Sequence, residues 1–185
     1  VGRKRVIDQE QILDAAEQVV ARDGAARLTL EAVAEQAGIS KASVLYDYKS
    51  KQALIAAVVQ RAVRNDNAHN DAVIASLGEV SSVAIRGRIA AAAQPLPEEF
   101  RAVALNLCAA LTQDRELRAH VQNNQAAVID KVTATAAQPR GALLAYLALE
   151  GLKLLESLDF HRWPQEQRSA ILADIAWLAE QKVDA

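Results

Sequence analysis

Cysteine is nearly absent from this chain of 185 residues, with Cys108 the single example. An internal disulfide is therefore impossible, and a cysteine-rich zinc site is excluded with it. Methionine is missing altogether, including an initiator, so the native start is expected to precede Val1. Aromatic residues make up only 4% of the chain, while hydrophobic residues make up 51%, mostly Ala, Leu, Val and Ile. That balance disfavours sheets, whose surfaces draw on aromatic and β-branched side chains, and favours helices. With only 7 glycines and 4 prolines, few breaks interrupt those helices. No apolar run approaches the ~18 residues of a membrane span. The longest, Ala142 to Leu149, has the length of a buried helix segment. VGRKRVIDQE at the start lacks the apolar centre of a secretion signal. The expected location is the cytoplasm, with no membrane association.

Strong charge of either sign is missing too. Net charge is −2, which excludes a histone-like basic protein. It is unevenly spread: residues 1–64 hold ten Lys/Arg against eight Asp/Glu, and the rest hold eleven against fifteen. Catalytic patterns are lacking as well. There is no Ser/His/Asp order, no H-E-x-x-H, no glycine-rich phosphate loop and no CxxC. His69, His120 and His161 stand far apart, without metal-ligand spacing. Neither an enzyme nor a metal or cofactor protein is expected.

The hydrophobic periodicity predicts an all-α chain. Ile12, Leu13, Ala16, Val19 and Val20 recur at helical steps from Gln9 to Arg22, and Asp23-Gly24 ends that helix. Thr29 is a good N-cap for a short helix from Leu30 to Ala37, stopped by Gly38. Ser40 caps a third from Lys41 to about Asp47, and Ser50 a long fourth from Lys51. Two brief helices joined at Ala37-Gly38-Ile39-Ser40 form the joint of a helix-turn-helix. Val33, Ala34, Ala37, Ile39, Val44 and Tyr48 can fill its core. Further helices are expected near 68–77, 80–93, 97–112, 114–136, 139–158 and 165–181.

SKASVLYDYKSK, Ser40 to Lys51, gathers three lysines, two tyrosines and hydroxyl residues around one acid. If the helix that starts at Lys41 enters a DNA major groove, Ser40, Lys41, Ala42 and Ser43 meet base edges and Tyr46 meets phosphate. Lys51 and Thr29, at helix starts, add backbone N–H groups to phosphates. Arg3, Lys4 and Arg5 form a basic arm that suits the minor groove. A solvated basic face is the bland alternative for the same residues. Asp47 has two readings: acceptor for a cytosine amino group, or i,i+4 partner of Lys51.

LTLEAVAEQAGISKASVLYDYKSKQALIAAV, Leu28 to Val58, resembles the DNA-binding domain of the TetR family of bacterial transcriptional repressors, and Ile12 to Gly24 fits its first helix. The resemblance covers about residues 8–60 and rests on Thr29, Ala34, Gly38, Ser40, Tyr46, Ser50 and Lys51. It departs from the family's pattern at Leu45, Tyr46, Asp47 and Tyr48, where two aromatics, His and Phe are common. It implies an all-helical homodimer, with an N-terminal three-helix DNA-binding domain and a larger helical domain for ligand binding and dimerisation. On that basis the expected division is 1–50 and 51–185, with the Lys51 helix as connector. The partners are then a double-stranded DNA operator, an unidentified small-molecule effector and a second copy of the chain. A regulator controlled by a protein partner instead of a ligand is the alternative.

The C-terminal part carries no comparable motif. Phe100, Leu107, Cys108, Leu111 and His120 could line an apolar ligand space with polar handles, although ordinary core packing also accounts for them. Leu147, Gly151, Leu154, Leu155 and Leu158, with Ile171, Ile175 and Leu178, are the expected dimer face. They would form a four-helix bundle with their copies.

Overall fold

The computed structural model describes residues 9–24, 27–94, 111 and 114–183. All regular structure among them is helical: α1 (Gln9–Asp23), α2 (Leu30–Ala37), α3 (Lys41–Asp47), α4 (Lys51–Ser76), α5 (Val83–Ala91), α6 (Arg115–Ala134), α7 (Pro139–Ser157) and α8 (Gln165–Leu178). None is long and apolar enough to cross a membrane. The chain divides into two compact units. The first holds α1 to α3 and α4 as far as Ala62, together with Leu111 and Asp114–Leu117; the second holds Val63 to Gln94 and everything described from Arg118 on.

In the first unit, local chemistry sets each boundary. Gly24, at φ 81°, ends α1 and gives its N–H to Val20 O at 2.9 Å. Thr29 Oγ1 accepts from Ala32 N at 3.0 Å and so caps α2. Gly38 turns to φ 66°, which lets Ile39 N reach back to Ala34 O at 2.9 Å. A β-carbon disfavours that backbone region, so glycine is the residue for the turn. Ser40 Oγ accepts from Ser43 N at 3.1 Å, and Ser50 Oγ from Ala53 N at 3.1 Å. Each such cap contributes about 1 kcal/mol. The apolar stripe of α1 (Ile12, Leu13, Ala16, Val19, Val20) packs with Val33, Ala34, Val44, Tyr48, Leu54 and Val58 in one core; Ala37 and Ile39 lie against it.

A second kind of bond ties α4 to α1. Arg61 is buried, and its guanidinium reaches three carboxylates spaced along α1. Nη1 donates to Asp14 Oδ1 at 2.7 Å and Glu10 Oε2 at 3.1 Å, and Nε donates to Glu17 Oε1 at 3.0 Å. Burial alone would favour losing the proton, but the bonds to Glu17, Asp14 and Glu10 outweigh it and hold the guanidinium above its ordinary pKa.

The second unit buries Ala84, Ile85 and Ile89 of α5, Val128 and Val132 of α6, Ala142, Ala145, Tyr146, Leu149 and Leu152 of α7, and Leu172 and Ile175 of α8. Glycine sets two close approaches. A β-carbon at Gly87 would collide with Ile74 of α4, whose Cα would lie 3.0 Å away. One at Gly141 would meet backbone oxygens at the end of α8, including Leu178 O at 2.8 Å. Arg168, buried on α8, holds Glu156 through Nε at 2.7 Å and Nη2 at 3.1 Å, and donates to Ala93 O at 3.1 Å.

Two expectations are corrected here. No separate helix starts near residue 68: α4 runs unbroken from Lys51 to Ser76. The helix expected at 80–93 begins only at Val83, because Ser82 takes φ 56° ahead of it. The helix expected at 97–112 lies outside the described residues.

Candidate nucleic-acid interface

The short helix α3 has two faces. Val44 and the following Tyr48 are buried in the first unit's core, whereas Ser40, Lys41, Ala42 and Tyr46 are exposed and Ser43 is half-buried. Among the described residues Tyr46 is the most open of the large hydrophobic side chains, at 75% of its full exposure. The division follows from spacing. Ala42 and Tyr46, four apart, share the side away from Val44, and Tyr48, in extended backbone at the helix end, turns back into the core.

Hydrogen bonds hold the exposed side in place. The Ser40 and Ser43 hydroxyls pair at 2.8 Å. Lys49 Nζ donates to Tyr46 O at 2.6 Å and lies 5.1 Å from the centre of the Tyr46 ring, so the ammonium caps the helix end and stacks on the phenol. Lys41 pairs with Glu31 of α2, and that ammonium holds the Glu31 carboxyl below the usual carboxylate range. Both groups are more than half exposed, so the pair contributes little to stability. Asp47 Oδ1 accepts from Gln9 Nε2 at 3.2 Å, which joins the end of α3 to the start of α1. Thr29 is exposed above its capping bond, and Lys51 is half-buried at the head of α4.

Sequence reasoning named Ser40, Lys41, Ala42, Ser43 and Tyr46, which α3 and its cap bring together on one stretch. It missed Lys49, Glu31 and Gln9. For Lys49 the signal was available: a cation near a helix end, three residues after a tyrosine. Gln9 and Glu31 pair across 38 and 10 positions of chain, where periodicity carries no information. Arg3, Lys4 and Arg5 lie outside the described residues.

Two family models match the chain. "Bacterial regulatory proteins, tetR family" matches residues 12–58. "Tetracyclin repressor-like, C-terminal domain" matches residues 82–180, more than half of the chain. The chain belongs to the TetR family. This TetR-family protein is a DNA-binding transcriptional regulator and not an enzyme. Its fold is the family's: an N-terminal helix-turn-helix domain and a C-terminal helical domain.

No curated protein matches the chain by sequence. Solved structures share its fold. One is a transcriptional regulator, SCO7518 from Streptomyces coelicolor A3(2), at TM-score 0.71 and 19% identity, covering 93% of this chain and 98% of that one. A second is a transcriptional regulator from Saccharomonospora viridis in complex with choline, at TM-score 0.72 and 16% identity, covering 91% and 94%. The third is the multidrug binding protein EbrR complexed with imidazole, at TM-score 0.63 and 22% identity, covering 95% and 96%.

The expected C-terminal sites are less concentrated. Phe100, Leu107 and Cys108 lie outside the described residues, Leu111 is half-buried and His120 is exposed on α6. Among the described residues no group of three or more His, Cys, Asp or Glu could hold a metal ion. On α7 and α8, Leu147, Leu154 and Leu155 are exposed, while Gly151, Leu158, Ile171 and Leu178 are half-buried. Ile175 belongs to the second unit's own core. A β-carbon at Gly151 would meet nothing within 4 Å, so no close contact inside the chain requires that glycine. Leu144 and Trp177 are exposed as well and extend the apolar surface beyond the expected residues.

Proposed function

We propose that this TetR-family regulator is a repressor that binds a pseudo-palindromic operator as a homodimer and leaves it when a small molecule binds the C-terminal domain. The observation that carries the reading is the exposed side of α3, where Ser40, Lys41, Ala42 and Tyr46 are held out by a core that buries Val44 and Tyr48. In this reading Ser40, Lys41, Ala42 and Ser43 read base edges, Tyr46, Thr29 and Lys51 hold phosphate, and Arg3, Lys4 and Arg5 reach the minor groove. Lys41 exchanges its weak, exposed Glu31 partner for DNA at little cost. Residues 1–50 are the DNA-binding domain, and the Lys51 helix connects them to the rest. Two copies meet through Leu147, Leu154 and Leu155 of α7, joined by residues of α8, and present their α3 helices about 34–36 Å apart, one DNA turn. Exposed leucines at that spacing support the dimer, because water penalises a wide apolar face. Choline and imidazole in the structures of two proteins of the same fold support a ligand in this one. The ligand acts by preferring the conformer that misfits the operator.

Selection of bound sequences from random duplex DNA tests the interface. Tyr46→Ala should weaken all selected sites alike, by roughly the 1.5–3 kcal/mol of a charge-assisted hydrogen bond. Lys41→Ala should also change base preference. Wild-type affinity in Tyr46→Ala would remove α3 from the interface.

A further inference from the structure

Among the described residues, the chain buries three arginines, Arg61, Arg88 and Arg168. Two are saturated: Arg61 by three carboxylates, Arg168 by Glu156 and a backbone carbonyl. Arg88 on α5 is different. It is 9% exposed, yet it donates no hydrogen bond to any described residue. Its one ion pair, with Asp66 of α4, is 4.0 Å long, and the Asp66 side chain is half exposed. The guanidinium lies over the ring of Tyr146 of α7, 5.9 Å from its centre. No Arg88 nitrogen is both sealed from solvent and unpartnered, so its five N–H donors remain reachable from water in a core otherwise built from Ala, Ile, Leu and Val.

The groups around Arg88 complete a site. Asn70, one turn after Asp66, is buried, and its amide nitrogen binds Asp66 O at 2.7 Å. The Tyr146 hydroxyl donates to Gln125 Oε1 of α6. Arg88 and Tyr146 are buried, and their partners Asp66 and Gln125 are exposed. The acids nearby do not compete strongly. Asp66 is largely in water, and Glu150 is held by Lys153 at 3.1 Å. Among the described groups Arg88 keeps the most unused donor capacity, and a planar anion fits its fork in a bidentate pair.

We propose that the effector is a small organic carboxylate whose carboxyl group sits on Arg88. This rests on the ligand-responsive reading given above and specifies the charge and chemical class of the ligand. Binding replaces the long Asp66 contact with a bidentate one, so the ligand couples to α4 and α5 through the residues it displaces.

The experiment uses the full chain, with calorimetry and thermal denaturation against benzoate and octanoate, their neutral counterpart benzamide, and choline and imidazole. Benzoate or octanoate is expected to bind and raise the melting temperature, and benzamide to do neither. Arg88→Met, which keeps the length of the stem, should weaken carboxylate binding roughly 10- to 100-fold. Asp66→Asn, at a half-exposed position where folding is not threatened, should strengthen it by removing the competing anion. A purely structural Arg88 predicts no gain in Asp66→Asn. Choline or imidazole binding while both carboxylates stay silent overturns the anion assignment and leaves the ligand-responsive reading standing. Silence from the whole panel also overturns the assignment, as does unchanged carboxylate affinity in Arg88→Met. A carboxylate that binds without changing operator affinity supports the site and removes the regulatory reading instead.

Discussion

Replacing Arg61 with alanine tests how the first unit is held together. The side chain is 6% exposed and gives hydrogen bonds to Glu10, Asp14 and Glu17. Truncating one partner of a buried ion pair costs about 3–5 kcal/mol, because the other charge stays behind unpaired. That figure must be reduced here. The Glu10 and Asp14 side chains are 59% and 65% exposed and regain water, so each of those pairs is worth about 0–1 kcal/mol. Glu17, at 23%, stays mostly desolvated. Adding the repulsion among three acids on one helix face, a few tenths of a kcal/mol per pair, the loss comes to about 2–4 kcal/mol. For a chain of this size that lowers the melting temperature by roughly 5–12 °C. Circular dichroism on heating reads it, with a double-mutant cycle using Glu17→Gln. The double variant should recover part of the loss, since the stranded carboxylate is gone. A melting temperature within about 1 °C of wild type, with no coupling to Glu17, would refute the reasoning.

Two further outcomes follow from the second unit. Leu147→Asp with Leu154→Asp places charges at exposed positions of the proposed dimer face, so sedimentation should show a monomer with unchanged helix content; a dimer that persists sinks the assignment of that face. The Tyr146 hydroxyl is pushed up to about 12, first by burial and then by the Glu150 carboxylate. The folded chain therefore keeps a proton that the unfolded chain releases, so the contribution is complete below pH ~10 and is lost as pH rises to about 12, at most about 1–2 kcal/mol. Tyrosinate difference absorbance of wild type against Tyr146→Phe checks it, and a Tyr146 transition near that of free tyrosine contradicts it.

The helix boundaries of the first unit were legible because their causes are local. Thr29, Gly38, Ser40 and Ser50 act within four residues of themselves. The two sides of α3 followed from the same short-range spacing. What escaped depended on distant partners. The expected start of a separate helix near residue 68 falls in a stretch rich in Asn and Asp, poor helix formers, from Asn65 to Asp71. In the fold α4 passes straight through it. Asn67 donates to Asn124 Oδ1 at 2.7 Å, Asn70 to Asp66 O, and Asp71 takes Lys131 Nζ at 2.7 Å. Partners 57 and 60 positions away overrode propensity. Arg61 escaped for the same reason, although Glu10, Asp14 and Glu17 fall on one face of α1 at steps of four and three. Arg88, Asp66, Gln125 and Tyr146 lie on four different helices and have no contiguous signature at all.

The collision awaiting any side chain at Gly87 has a bearing on genetics. With Ile74 of α4 occupying the space, even Gly87→Ala forces two backbones apart. Under the proposed repressor reading, a screen for strains that have lost repression would recover such alleles beside alleles of the proposed operator contacts. Abundance separates the two groups: an allele at Gly87 should deplete the protein, whereas one at the proposed contact Tyr46 should leave it plentiful.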